Sequence, residues 1–159
     1  MTAREYNTNS AEETIALGRE LAPVLRTLRV VLLHGDLGAG KTTLVKGIAQ
    51  ALEAASQDDV TSPTFTLIHE YRGPQLTVYH VDLYRINTER ELATLGLDEL
   101  FADEGNLVLI EWGEKFSRLI LCRVLLSPRK NQDTEVGFHA VAGVDDASGP
   151  MRAPLPLWT

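Results

Sequence analysis

The residues Gly35-Asp36-Leu37-Gly38-Ala39-Gly40-Lys41-Thr42 carry the densest chemistry in this sequence, and they match G-x-x-x-x-G-K-[ST] at every fixed position. Glycines in such a segment let the backbone curl until successive N–H groups point into one concavity. That nest, with the positive end of a following helix, attracts anionic phosphate oxygens. In this setting Lys41 reaches the β- and γ-phosphates of a nucleotide and the Thr42 hydroxyl ligates Mg²⁺. The stretch from Asp36 to Thr43 forms the cradle around them. A site of this kind also needs an acid at the end of a neighbouring buried strand, to hold Mg²⁺ or its water. Glu111 ends the run Leu107-Val108-Leu109-Ile110, and Asp82 ends Val78-Tyr79-His80-Val81 in the same manner. The residues by themselves leave open which of the two stands closer to the metal.

Three further features surround this core. Thr61-Ser62-Pro63-Thr64-Phe65 is a polar loop after the phosphate-loop helix, where a γ-phosphate sensor such as Thr64 would sit, although an ordinary turn into a strand is the reading the residues alone favour. Trp112 directly follows Glu111, and an amphipathic indole there either packs or flanks a base or a partner. A guanine-selecting Asn-Lys-x-Asp segment is missing, since Lys130-Asn131-Gln132-Asp133 has the wrong order, and Asp82 is followed by Leu83-Tyr84-Arg85 rather than by an Asp-x-x-Gly switch. ATP is therefore the expected nucleotide. His34, His69, His80 and His139 show no ligand spacing and are given no metal or general-base role.

Elements must hold these residues in place. Ser10 with Glu13 reads as a capping box opening a helix over residues 10–25, its inner face Ala11, Ile15, Gly18, Ala22 and Leu25, with Pro23 ending the regular helix. Residues 29–34 are apolar without alternation, as in a parallel strand covered on both faces. A helix over residues 41–53 turns Leu44, Val45, Ile48 and Leu52 inward. Residues 66–72 and 75–82 are β-prone around the turn signal Gly73-Pro74, so a hairpin and a mixed sheet are expected. Residues 88–95 read as a helix capped by Thr88, residues 107–110 as a second buried strand, and residues 119–126 and 135–141 as late strands. The expected architecture is α/β, a three-layer α/β/α P-loop NTPase fold with a mixed, largely parallel central sheet. One domain is expected over residues 1–142, with an irregular tail over residues 143–159.

Composition narrows the function classes. The chain has 159 residues, 44% of them hydrophobic, enough for one ordinary core. Its single cysteine, Cys122, excludes an intramolecular disulfide and, within an apolar run, reads as a buried structural thiol. No stretch approaches the roughly 18 apolar residues of a membrane span, and Met1-Thr2-Ala3-Arg4-Glu5-Tyr6 lacks a signal-peptide core, so the cytoplasm is the simplest location. The formal net charge is −7, from 22 acidic and 15 basic residues, which disfavours gripping nucleic acid through its phosphates. Any link to RNA is expected to run through a partner protein.

Taken together, His34–Thr43, Ser62-Pro63-Thr64-Phe65, Tyr79-His80-Val81-Asp82-Leu83-Tyr84-Arg85 and Ile110-Glu111-Trp112 resemble the bacterial TsaE (YjeE) family over roughly residues 10–142. The resemblance implies an ATPase of tRNA threonylcarbamoyladenosine biosynthesis that docks on a TsaB–TsaD pair, with tRNA met only through those partners. It also implies that ATP hydrolysis resets the complex between rounds in which TsaD modifies adenosine 37. Carried onto matching positions, Lys41 binds phosphates, Thr42 binds Mg²⁺, and Ser62–Phe65 acts as switch I. Asp82 then positions the metal or the attacking water, Glu111 is the Walker B-type acid, and Trp112 lies near the site. No arginine finger is evident, Arg85 being the only arginine near a motif, so weak intrinsic turnover raised by the partners is expected. Two rivals remain at this stage: a nucleotide-dependent switch module without turnover, and a small-molecule P-loop kinase.

Overall fold

Apolar runs in this chain become the middle of one sheet, and polar ones its edges. The computed structural model describes residues 4–119, 123–128 and 138–143. Its strands are β1 (Arg4–Thr8), β2 (Val30–His34), β3 (Ile68–Arg72), β4 (Thr77–Asp82), β5 (Asn106–Glu111), β6 (Arg123–Pro128) and β7 (Phe138–Gly143). They form a seven-stranded sheet in the order β1-β7-β6-β2-β5-β4-β3. The central strands β6, β2, β5 and β4 are mutually parallel, while β3 on one side and β7 and β1 on the other add antiparallel edges. The fold is thus the expected mixed, largely parallel α/β sheet with helices on both faces.

Alternation along the central strands divides the core in two. Val31, Leu33, Val78, Leu107 and Leu109 point to one face, where α1 (Ala11–Leu28) and α2 (Lys41–Ala51) cover them with Leu17, Leu21, Leu25, Leu44, Val45 and Ile48. Leu32, Val81, Val108 and Ile110 point to the other, under Leu92 of α3 (Glu89–Ala93), Leu97 and Phe101 of α4 (Leu97–Ala102), Phe116 just after one short 3₁₀ turn and Leu119 at the end of the next. The helix α1 lies so close on α2 that a Cβ at Gly47 would overlap the Ile15 carbonyl, and one at Gly18 the Leu44 carbonyl.

Local sequence accounts for most boundaries. Ser10 caps α1 by accepting the Glu13 N–H at 3.1 Å, while Glu13 accepts the Asn9 N–H, one residue earlier than the usual reciprocal cap. Proline does not end α1 as expected. Pro23 lies on the exposed side, and burial of Ala22 and Leu25 against the sheet carries the helix on to Leu28. Of the expected inner face, Gly18, Ala22 and Leu25 are buried and Ile15 half-buried, but Ala11 is exposed and Leu17 and Leu21 do the packing. Leu52 follows α2 as its cap and is half-buried. The β3–β4 hairpin turns at Gly73, whose N–H donates to Leu76 O at 2.9 Å, and β3 starts later than expected because Leu67 takes a left-handed φ of 68°. Strand β1 and helix α4 were not expected. Cys122, residues 120–122, the start of the second late strand at 135–137, and the tail from residue 144 onward lie outside the described residues.

Candidate active site

Parallel strands collect their C-terminal ends on one edge of a sheet, and here three of them carry the chemistry. The strand β2 runs through Gly35–Gly40 into α2, so the glycine-rich segment joins a buried strand to a helix N-terminus. Gly38 and Gly40 take φ of 78° and 93°, conformations that residues with a Cβ rarely adopt. In register across the sheet, Leu33 of β2 pairs with Glu111 of β5, which pairs with Asp82 of β4. The two acids therefore stand side by side behind the loop.

A cleft of about 460 Å³ opens there, within the usual range for small-molecule sites. Leu37, Gly38, Ala39, Gly40, Lys41, Thr42, Thr43, Thr64, Asp82, Glu111 and Trp112 all line it, and so do Ala11, Ser62 and Tyr84. Asp36, also expected to bind, is not among the residues lining it, and its carbonyl instead accepts from Lys41. The Lys41 ammonium donates to the carbonyls of Gly35 and of Asp36, the latter at 3.1 Å, and stands 4.3 Å from the centre of the Trp112 ring. Burial pushes the Lys41 pKa below the ordinary 10.5, against the opposing pull of Glu111, Glu114, Asp82 and Asp36. Trp112 holds a left-handed φ of 62°, and its ring meets that of Tyr84 at 5.2 Å.

The two acids are tied differently. Thr42 Oγ1 donates to Glu111 Oε1 at 3.1 Å, which joins the first turn of α2 to the end of β5. Asp82 is bound to loops. Its Oδ1 accepts the Tyr84 N–H at 2.8 Å, and its Oδ2 accepts from Thr64 Oγ1 at 2.9 Å and Ser62 Oγ at 3.3 Å. The segment Thr61–Phe65 is therefore more than a turn: its hydroxyls are fastened to a cleft carboxylate. Arg85 does not enter the cleft, and its guanidinium lies 4.6 Å over the ring of exposed Phe65.

Spacing alone missed His80. It is fully buried, and its Nε2 lies 2.7 Å from Glu111 Oε1. The signal was the period of two along a strand, which puts His80 on the same face as Asp82; what was missing was knowledge that β4 and β5 are neighbours. Elsewhere, His34 pairs with Glu114 at 3.5 Å and His69 Nδ1 meets the Thr61 carbonyl and Tyr71 hydroxyl at 3.2 Å. Among the described residues no cluster of His, Cys, Asp and Glu suits a metal held by protein alone, and no helix is long and apolar enough to cross a membrane.

Comparison with known proteins agrees with this arrangement. A family model described as "Threonylcarbamoyl adenosine biosynthesis protein TsaE" matches residues 8–136. The tRNA threonylcarbamoyladenosine biosynthesis protein TsaE of Bacillus subtilis is 37% identical over 144 residues, covering 89% of this chain and 88% of that protein. The proteins of the same name from Rickettsia bellii and Rickettsia conorii are 41% and 42% identical over 70% and 72% of this chain. The chain spans 76% of the former's length and 64% of the latter's. The crystal structure of Bacillus subtilis YdiB superposes with a TM-score of 0.62 at 32% identity, over 89% of this chain and 86% of that one. With the cleft, its acids and these relatives in agreement, the chain belongs to the TsaE family of threonylcarbamoyl adenosine biosynthesis proteins.

Proposed function

We propose that this chain binds Mg-ATP in the cleft behind Gly35–Thr42, hydrolyses it slowly alone and faster with partners, and so supports threonylcarbamoyladenosine modification of tRNA together with a TsaB–TsaD pair. The observation that carries the reading is Lys41. It is a buried cation whose hydrogen bonds, among the described residues, go to carbonyl oxygens rather than to an anion. A phosphate group arriving at the loop supplies the missing negative charge, and the Lys41 ammonium can leave the carbonyls of Gly35 and Asp36 to meet it.

The donor set also suits the metal. Thr42 and Glu111 offer hard oxygen donors, and Mg²⁺ characteristically takes one or two protein oxygens and completes its shell with phosphates and water. Thr42 Oγ1 can ligate through a lone pair while still donating its hydrogen to Glu111, which favours Glu111 over Asp82 as the acid nearer the metal. When bound, Mg²⁺ offsets charge building on the phosphate oxygens. In this reading Asp82, whose Oδ2 accepts from Ser62 and Thr64, couples the switch loop to the cleft and orients water for attack on the γ-phosphorus. The bond to the β–γ bridging oxygen then breaks, leaving ADP and inorganic phosphate.

Partner stimulation has two supports. Among the described residues no arginine lines the cleft, and Arg85 is held on Phe65. On the cleft, Leu37 is 80% exposed, and Phe65, next to the lining residue Thr64, is 81% exposed; both are apolar side chains that a docking protein would cover. An arginine or equivalent charge supplied by a partner raises phosphoryl transfer ~10³-fold or more. The deciding measurement is ATP hydrolysis by the pure protein with and without the TsaB–TsaD pair, with Lys41→Ala as control. Hydrolysis that rises with the pair and disappears in the variant supports the reading. Fast turnover by the isolated chain, or turnover indifferent to the pair, sinks the partner-coupled part of it.

A further inference from the structure

His80 is a polar side chain at a place whose core-side neighbours on the same face of the sheet are apolar. It has no exposed surface and sits one pleat below Asp82, on the face that Val78, Leu107 and Leu109 otherwise fill with hydrocarbon. Its only hydrogen bond among the described residues goes from Nε2 to Glu111 Oε1 at 2.7 Å, and its buried Nδ1 has no partner. An ionised carboxylate can only accept, so Nε2 carries the hydrogen and donates it. Glu111 Oε1 thus receives two donors, the Thr42 hydroxyl from the cleft side and the imidazole from the core side. Neither bond uses Oε2, and Glu111 lines the cleft.

We infer that His80 is a positioning residue whose Nε2–H fixes the rotation of the Glu111 carboxylate, so that Oε2 stays free for the nucleotide's metal ion or a water on it. This rests on the Mg-ATP reading of the cleft. The geometry supports it in two ways. A carboxylate held by one hydroxyl can pivot about that bond, whereas two donors on one oxygen from opposite sides fix its plane. The sheet also holds the donor rigidly, because His80 pairs with Leu109 in the same ladder that carries Glu111. Supporting partners of this kind behind a metal-side residue typically carry a ~10–100-fold effect on metal affinity or activity.

The test compares His80→Leu, which fills the space without a donor, with His80→Gln, whose amide can donate from near the Nε2 position. Each full-length variant is titrated with ADP and with a non-hydrolysable ATP analogue, in EDTA and in Mg²⁺, and assayed for partner-stimulated turnover. In His80→Leu the affinity in EDTA is expected within about 3-fold of wild type. The gain in affinity on adding Mg²⁺ should fall by ~10-fold or more, raising KM for Mg-ATP by a similar factor, and kcat should fall by ~10–100-fold. His80→Gln should recover most of both. Equal behaviour of Leu and Gln variants, or an affinity loss as large in EDTA as in Mg²⁺, overturns the inference, as does a wild type indifferent to Mg²⁺. Should His80→Leu fail to fold, His80→Asn, polar but too short to reach Glu111, carries the same expectation. A wild type that binds Mg-nucleotide yet never hydrolyses it sinks the ATPase reading, while the Mg²⁺ comparison still decides the role of His80.

Discussion

Thr42 and Glu111 share one hydrogen bond, and that bond determines what each can be exchanged for. Thr42→Ser keeps the hydroxyl and should bind Mg-nucleotide within a few-fold of wild type. Thr42→Val keeps the shape but offers neither a lone pair to the metal nor a hydrogen to Glu111; by analogy with other changes at metal-site ligands and their supports, it should weaken Mg²⁺-dependent affinity ~10–100-fold. Binding in EDTA should survive, since the backbone nest and Lys41 remain, and calorimetric titration with and without Mg²⁺ separates the two. An equal loss under both conditions would show that Thr42 shapes the loop rather than serving the metal. Most of these residues were legible beforehand, because the phosphate loop is a contiguous motif and acids at strand ends announce themselves. His80 was not, because its meaning depends on a neighbour 31 positions away in the chain.

At the scale of elements, α2 presents the phosphate loop, and α1 holds α2 in place through backbone-to-backbone contact. Gly47→Ala would push its Cβ into the Ile15 carbonyl, so it should lower stability by about 1–3 kcal/mol, read from the urea midpoint. Gly38→Ala is a contrasting case. A Cβ there meets nothing within 4 Å, yet the φ of 78° imposes a conformational cost of about 1–2 kcal/mol. Ser10→Ala removes the acceptor for the Glu13 N–H and should cost ~1 kcal/mol. If Gly47→Ala is as stable as wild type, the helices can separate and α1 does not fix the loop. The buried strands β2 and β5 could be read from sequence because both faces are covered and residues 30–33 and 107–110 within them are all apolar. The strand β1, Arg-Glu-Tyr-Asn-Thr, could not: among the described residues it is an edge strand paired only with β7, and no local pattern marks it. Helix α4 has six residues, too few for a period to show, and Pro23 misled because propensity yielded to burial of Leu25.

For the whole molecule, charge and ligand linkage set what is measurable. With a formal net charge of −7, the pure protein should not retard tRNA in a gel at physiological salt, and a shift at micromolar protein would overturn the idea that RNA is met through partners. Nucleotide at a hundred times its Kd should stabilise the fold by about 2.7 kcal/mol, raising Tm by roughly 5–10 °C, and Lys41→Ala should show no such rise. The strand order has a further consequence, for synthesis. The strand that leads into the phosphate loop, β2, is made early, but both of its sheet neighbours, β5 and β6, are made at least 70 residues later. The first strand, β1, waits longer still, for β7. On the ribosome the loop therefore emerges attached to a strand with two bare edges. Nascent chains should gain nucleotide binding only as β5 and β6 clear the exit tunnel, and until then β2 is the segment most in need of a chaperone.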